Sequence, residues 1–376
     1  MPAAGGRVSS RGAPARATRA LLPVGAVLLL IALVYLPRIP HLDLEVFLRA
    51  GASLLDHQAV YPASGTPALY SGSALVYPVA AAWPFVPLSL LPHWLAVGVW
   101  EALSLAAIIV ACWVGSDRPA PTAVCVLLCS FTIVGLQAGA LSPLLFAGLV
   151  LAWRLRDQPL AFGLVAGPLI AVKLFLLPIL IWPMLTRRWR AAACAAAVSL
   201  GLLAIGFAAG PIGPREYLRL LMDLAAHESG RGLGLISGLQ AVGLSGLTSQ
   251  GIAVGVAAGV VALTAWACRR DGSDHALFTV GVVVALLLTP VLWSHYLLLL
   301  AAPLMARRAS VLAFAVFAAA SWLIVVPHRS DALSMASSRL LSPSRLDCGG
   351  APPHCAQYCQ GRPVAKPSRS QRWGSL

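Results

Sequence analysis

Acidic side chains are scarce in this chain, with 13 Asp and Glu against 27 Lys and Arg among 376 residues. Two of the acids, Asp43 and Glu45, follow soon after an apolar run, in the stretch His41-Leu42-Asp43-Leu44-Glu45-Val46-Phe47. A carboxylate at the rim of an apolar bundle is equipped to take a proton from a hydroxyl, provided its surroundings keep it ionised. Two positions apart, these acids point to different sides of an extended or helical backbone, so one is expected to act without the other. Asp43, nearer the preceding run, is the candidate base, and Glu45 is a candidate substrate contact. Solvated loop acids are the alternative reading of both.

Other polar residues stand at comparable places. His295 lies where one apolar run ends and the next begins, and imidazole can donate to a phosphate or charge near neutral pH. Lys173 sits inside an apolar hairpin between Val172 and Leu174, where an ammonium either snorkels or meets an anion. Both are candidate phosphate contacts. Tyr61, Tyr77 and Gln137 are candidates to line a polar pocket, although Tyr also anchors at membrane interfaces. Arg215, Arg219 and Arg231 either attract anionic head groups or form a solvated loop face.

The elements that must carry these residues are set by composition. The chain is 59% hydrophobic and 11% charged, whereas soluble domains carry roughly 25% charged residues. Apolar runs repeatedly approach the ~20 residues a spanning helix needs, without the alternation of a barrel. The expected fold class is therefore all-α, a polytopic integral membrane protein of about 11 spans, with re-entrant or amphipathic segments in its outer loops. Residues 1–20 read as a basic N-terminal tail, 21–326 as the transmembrane domain, and 327–376 as a disordered tail. A net charge of +14 falls in short clusters between apolar runs, which is a topological pattern and not a nucleic-acid surface. The clusters land on the side of the N-terminus, so the N-terminus is expected in the cytoplasm, with Asp43, Gln137 and His295 on the outer side. Cys112, Cys125, Cys129, Cys194 and Cys268 fall in apolar runs as small hydrophobes. His354, Cys355 and Cys359 lack a second ligand pair, and no metal is expected.

The order of these features resembles glycosyltransferase family 87. Asp43-Leu44-Glu45-Val46-Phe47, Ala50-Gly51 and Tyr61-Pro62 are similar to its first outer loop, as is Val76-Tyr77-Pro78-Val79-Ala80 running to Pro87-Leu88-Ser89-Leu90-Leu91-Pro92. Gln137, Gly163 to Gly167, Lys173 and Arg187-Arg188-Trp189-Arg190 resemble its middle segment. Thr289-Pro290-Val291-Leu292-Trp293-Ser294-His295-Tyr296 resembles a late Ser-Pro-Ser-Trp-His-like segment. The likeness covers about residues 20–310. Val79 departs from the usual Tyr-Pro-Pro stretch, and one His295 stands where relatives often have two.

What the resemblance implies is a GT-C-like bundle in a bacterial plasma membrane. Such an enzyme takes a sugar, usually mannose, from a polyprenyl-phosphate donor to a lipid or glycan acceptor outside the cytoplasm. Asp43 would take the base position and His295 would lie near the donor phosphate, with no cofactor implied. The rival is a flippase for polyprenyl-linked sugar, which predicts ionisable residues deep in several spans and two repeated halves. Here Glu101 and Lys173 are the main deep charges.

Overall fold

A computed structural model of the chain describes residues 41–70, 74–228, 232–271 and 273–325. The expected first span, the basic N-terminal tail and the tail from residue 327 lie outside the described residues. All regular structure described is helical. It opens with α1 (Leu42–Leu55), then two 3-10 turns, Val79–Ala81 and Trp83–Phe85, leading into the short α2 (Val86–Ser89) and the long α3 (His93–Gly115). Next come α4 (Pro119–Leu128), α5 (Ser130–Ala138), α6 (Ser142–Arg154) and α7 (Pro159–Val172). A 3-10 stretch, Leu174–Leu180, continues into α8 (Ile181–Leu185). Then follow α9 (Trp189–Ala209), α10 (Pro214–Glu228), α11 (Leu235–Ala241), α12 (Gly246–Asp271) and α13 (Asp274–Leu287). A second 3-10 stretch, Ser294–Leu300, leads into α14 (Ala301–Ala306), and α15 (Val311–Val325) closes the series.

Among the described residues, three helices are long and apolar enough to cross a membrane: α3, α9 and the first 24 residues of α12. They turn apolar side chains outward, among them Leu103 and Trp113 on α3, Leu200 and Ile205 on α9, and Leu263 and Trp266 on α12. That surface suits lipid. α4 and α5 together make a fourth apolar path, bent by 68° where Cys129 takes an extended conformation. The bend is satisfied from inside: the Ser130 N–H donates to Ser321 Oγ at 2.9 Å, and Thr132 Oγ1 donates to the Val126 carbonyl at 2.6 Å. Backbone freed at a broken helix needs such partners away from water.

Eleven full-length spans are not found among the described residues, because many apolar runs fold as shorter helices. Proline is one physical reason. Pro168 lies inside α7 and Pro178 inside the 3-10 stretch after Lys173, and a proline removes a helical donor and crowds the preceding turn. Arg215 and Arg219, for which a solvated loop face was one reading, instead lie on α10, while Arg231 lies outside the described residues.

Asp43 and Glu45, for which a solvated loop was the alternative reading, both lie in the first turn of α1. Leu44, Phe47, Leu48 and Gly51 are buried, a helical i, i+3, i+4, i+7 stripe. Gly51 is required for that docking, since a Cβ there would stand 2.9 Å from the Phe85 backbone. At the other end of the interface, α5 stops at Gly139 in a left-handed conformation, φ 64°. A Cβ on Gly139 would stand 2.6 Å from that of Leu44, and the Trp100 indole N–H donates to its carbonyl at 2.9 Å. α7 is held against α9 by Gly163 and Gly167, whose added Cβ atoms would meet Cys194 at 2.6 Å and Val198 at 2.7 Å. Small residues four apart let two helix backbones close up.

Gly139→Ala is expected to lower stability by about 1–3 kcal/mol, combining left-handed strain with the clash against α1. Thermal unfolding of the purified protein in detergent measures it. Gly201→Ala, a helical position with open space around it, should leave the midpoint unchanged or slightly raised.

Candidate active site

The C-terminal end of α7 presents Lys173. Its backbone leaves the helix there, at φ −131° and ψ 92°, which turns the side chain across the bundle. The ammonium donates to the Tyr296 hydroxyl. It also lies 3.8 Å from the centroid of the Tyr77 ring and 4.6 Å from that of Tyr296. Aromatic faces attract a cation through their quadrupole and partly replace its lost water. Tyr296 follows His295 on the 3-10 stretch Ser294–Leu300, so the late apolar segment supplies one wall of the site.

Tyr77 is fixed by packing and by its backbone. Its ring centroid is 4.6 Å from that of Phe47 on α1, and Phe47 stacks on Phe85 at 4.3 Å. The Tyr61 hydroxyl donates to the Tyr77 carbonyl at 2.7 Å. One residue earlier, the Tyr217 hydroxyl of α10 donates to the Val76 carbonyl at 3.0 Å. Tyr61 therefore holds the wall in position through its hydroxyl. Tyr217, which the sequence reading did not single out, does the same from α10.

Asp43 enters from the first turn of α1 and is half-buried. Burial pushes its carboxyl above the ordinary value of 3.8, and the Lys173 ammonium pulls it back down. The position in the first turn adds a favourable helix field for the ionised form. A carboxylate with a raised proton affinity, held ionised by a neighbouring cation, is what general-base work on a hydroxyl requires.

The remaining candidates divide. His295 is 5% exposed, its ring centroid 4.3 Å from that of Tyr296, and its Nε2 is buried without a protein partner. Glu45 does not join the cluster. It faces the other side of α1, where His93 Nδ1 approaches its carboxylate at 3.3 Å, both side chains being exposed. Gln137 is half-buried near the Gly139 turn. Tyr296 carries one sequence signal, its adjacency to His295. A second buried pair escaped pairing by sequence: His41 Nε2 lies 3.4 Å from Glu101 Oε1, with side chains 6% and 8% exposed. It ties the start of α1 to α3. Among the described residues, no three His, Cys, Asp or Glu side chains gather as metal ligands would, and the tail cysteines lie outside them.

The described residues form an all-helical protein with three apolar helices of membrane-spanning length, in which Lys173 at the end of α7 lies among Tyr77 and Tyr296, within electrostatic reach of Asp43 on α1. Its family follows from comparison. The model of glycosyltransferase family 87 matches residues 75–290, more than half of the chain, and the chain belongs to that family. No curated protein and no solved structure gives a match. Tyr77, Gln137 and Lys173 lie within the matched region, while Asp43, Glu45, Tyr61, His295 and Tyr296 flank it.

The charge relation is open to direct test. The infrared band of the protonated Asp43 carboxyl, isolated by subtracting Asp43→Asn, should titrate with a midpoint above 3.8. Lys173→Met removes the cation and should move that midpoint further up. An unmoved midpoint would separate the two residues.

Proposed function

We propose that the chain is a GT-C-fold transferase that moves a sugar from a polyprenyl-phosphate donor to a lipid or glycan acceptor, with inversion at the anomeric carbon. Mannose is the first candidate sugar. The observation that carries this reading is the Lys173 ammonium set among Tyr77 and Tyr296 within electrostatic reach of Asp43, in a chain whose family transfers sugars.

In the proposed reaction, the acceptor oxygen forms a bond to the anomeric carbon and gives its proton to the Asp43 carboxylate. The bond from that carbon to the donor phosphate oxygen breaks on the opposite face, and the prenyl phosphate leaves with the electron pair. Negative charge grows on the departing phosphate, where preorganised donors stabilise the transition state most. Lys173 supplies the positive charge and His295 a ring N–H, its Nε2 being uncommitted within the protein. Tyr77 and Tyr296 hold the ammonium in place between phosphate cycles. Apolar surface between the helices would carry the prenyl chain. Arginines clustered at the opposite end of the bundle support an extracytoplasmic site in a plasma membrane, by the positive-inside rule.

Membranes supplied with radiolabelled polyprenyl-phosphate-mannose test the reading. Asp43→Asn, at equal protein level, is expected to cut transfer by about 10²–10⁴-fold, and transfer that persists would move the base elsewhere. The pH profile should follow ionisation of Asp43. Because its carboxyl is raised, transfer falls as pH drops through that raised value, so the acid limb lies above 3.8. Movement of lipid-linked sugar across the membrane without transfer would favour the flippase instead.

A further inference from the structure

The other end of α7 carries a second charged feature, independent of the transferase reading. The loop after α6 and the turn before α9 meet in a cleft of about 420 Å³, lined by Arg156, Asp157, Arg187, Arg188, Trp189 and Arg190. Pro159, the first residue of α7, also lines it. Lys173 caps the far end of the same 14-residue helix. At 1.5 Å rise per residue the two sites stand about 20 Å apart, so this cleft is no extension of the Asp43 site.

The cleft is supported from behind. Asp274, at the start of α13, accepts Arg156 Nε at 3.0 Å and Arg188 Nη1 at 2.9 Å, and also the Trp182 indole N–H. Arg188 Nε reaches Asp157 at 2.9 Å. The Arg156 and Arg188 side chains are 27% and 25% exposed, so both guanidiniums are fixed while keeping donors to spare. Arg187 and Arg190 make no ion pair among the described residues. Arg187 also holds a left-handed backbone, φ 59°, which a non-glycine residue seldom adopts. Four guanidiniums against the carboxylates of Asp157 and Asp274 leave an excess of positive charge in one concavity. The N-terminus of α9, with its free N–H groups, opens at the same place.

Topology explains arginine at this end of the chain but not its convergence on a cleft. Arg118 and Arg307 are exposed in neighbouring turns and do not line it. We propose that the cleft binds a phosphate-bearing anion, either the headgroup of an anionic phospholipid or a free phosphate. Guanidinium forks match phosphate oxygens in geometry as well as charge. Exposed Trp189 is of the kind that sits at head-group depth.

The full chain, purified in neutral detergent, tests this with three probes: phosphatidylglycerol and phosphatidylcholine by native mass spectrometry, and inorganic phosphate by calorimetry. Arg187→Gln with Arg190→Gln should weaken binding by about tenfold or more, as loss of charge-assisted contacts implies. Arg118→Gln with Arg307→Gln should leave it within about twofold of the unmodified chain. Retention of phosphatidylglycerol over phosphatidylcholine, without binding of inorganic phosphate, assigns a lipid headgroup. Binding of inorganic phosphate with no preference between the lipids assigns a free phosphate. The proposal is overturned if the unmodified chain binds neither, if the cleft variant binds as tightly as it, or if both variants weaken equally. Arg190→Gln alone replaces the double variant should the latter unfold at lower temperature.

Discussion

An ammonium and a carboxylate, drawn out of water into an apolar helical bundle, set the terms for the rest of this structure. Desolvating either ion costs several kcal/mol unless protein groups replace the lost water. Around Lys173 those groups are the Tyr296 hydroxyl, the faces of Tyr77 and Tyr296, and the field of Asp43. Tyrosine suits the purpose because its ring offers a negative face and its hydroxyl an acceptor, without adding a second full charge. The same burial raises the proton affinity of Asp43, and so strengthens it as a base for as long as Lys173 keeps it ionised.

Holding that pair demands close packing elsewhere. Lys173 is presented by α7, which approaches α9 through Gly163 and Gly167, and Asp43 by α1, which rests on Gly139 and the Phe85 backbone. Tyr61 and Tyr217 steady the backbone around Tyr77 from two different parts of the chain. The site therefore draws on segments far apart in sequence, each docked through contacts that leave little room for added atoms. At the far end of α7 the chemistry is reversed. There, arginines outnumber acids and Asp274 holds two of them from behind.

Much of the membrane architecture was legible because lipid imposes a simple rule, that long apolar runs become helices. α3, α9 and the start of α12 followed it. The runs around Pro168, Pro178 and Cys129 did not, since proline and a locally satisfied bend divide apolar sequence without altering its hydropathy. Asp43 and Lys173 stood out by type and position, as charges beside or within apolar runs. Their electrostatic coupling did not, because it depends on how α1 docks against α5. Glu45 looked equivalent to Asp43 in the sequence, yet two residues on a helix turn it to the opposite face, toward His93. Tyr296 carried almost no signal, since a tyrosine near an interface is usual. The His41–Glu101 approach is likewise invisible until α1 and α3 are brought together.

Whether Asp43 and Lys173 act as one unit, as proposed, is tested most directly by a double-mutant cycle on sugar transfer. Asp43→Asn, Lys173→Gln and the combined variant would be compared with the unmodified chain in the same membranes, at equal protein level. Coupled residues are non-additive, so the account predicts that the combined loss stays close to the larger of the two single losses. Losses that multiply across the cycle would contradict it, leaving the two residues as independent contributors to separate steps.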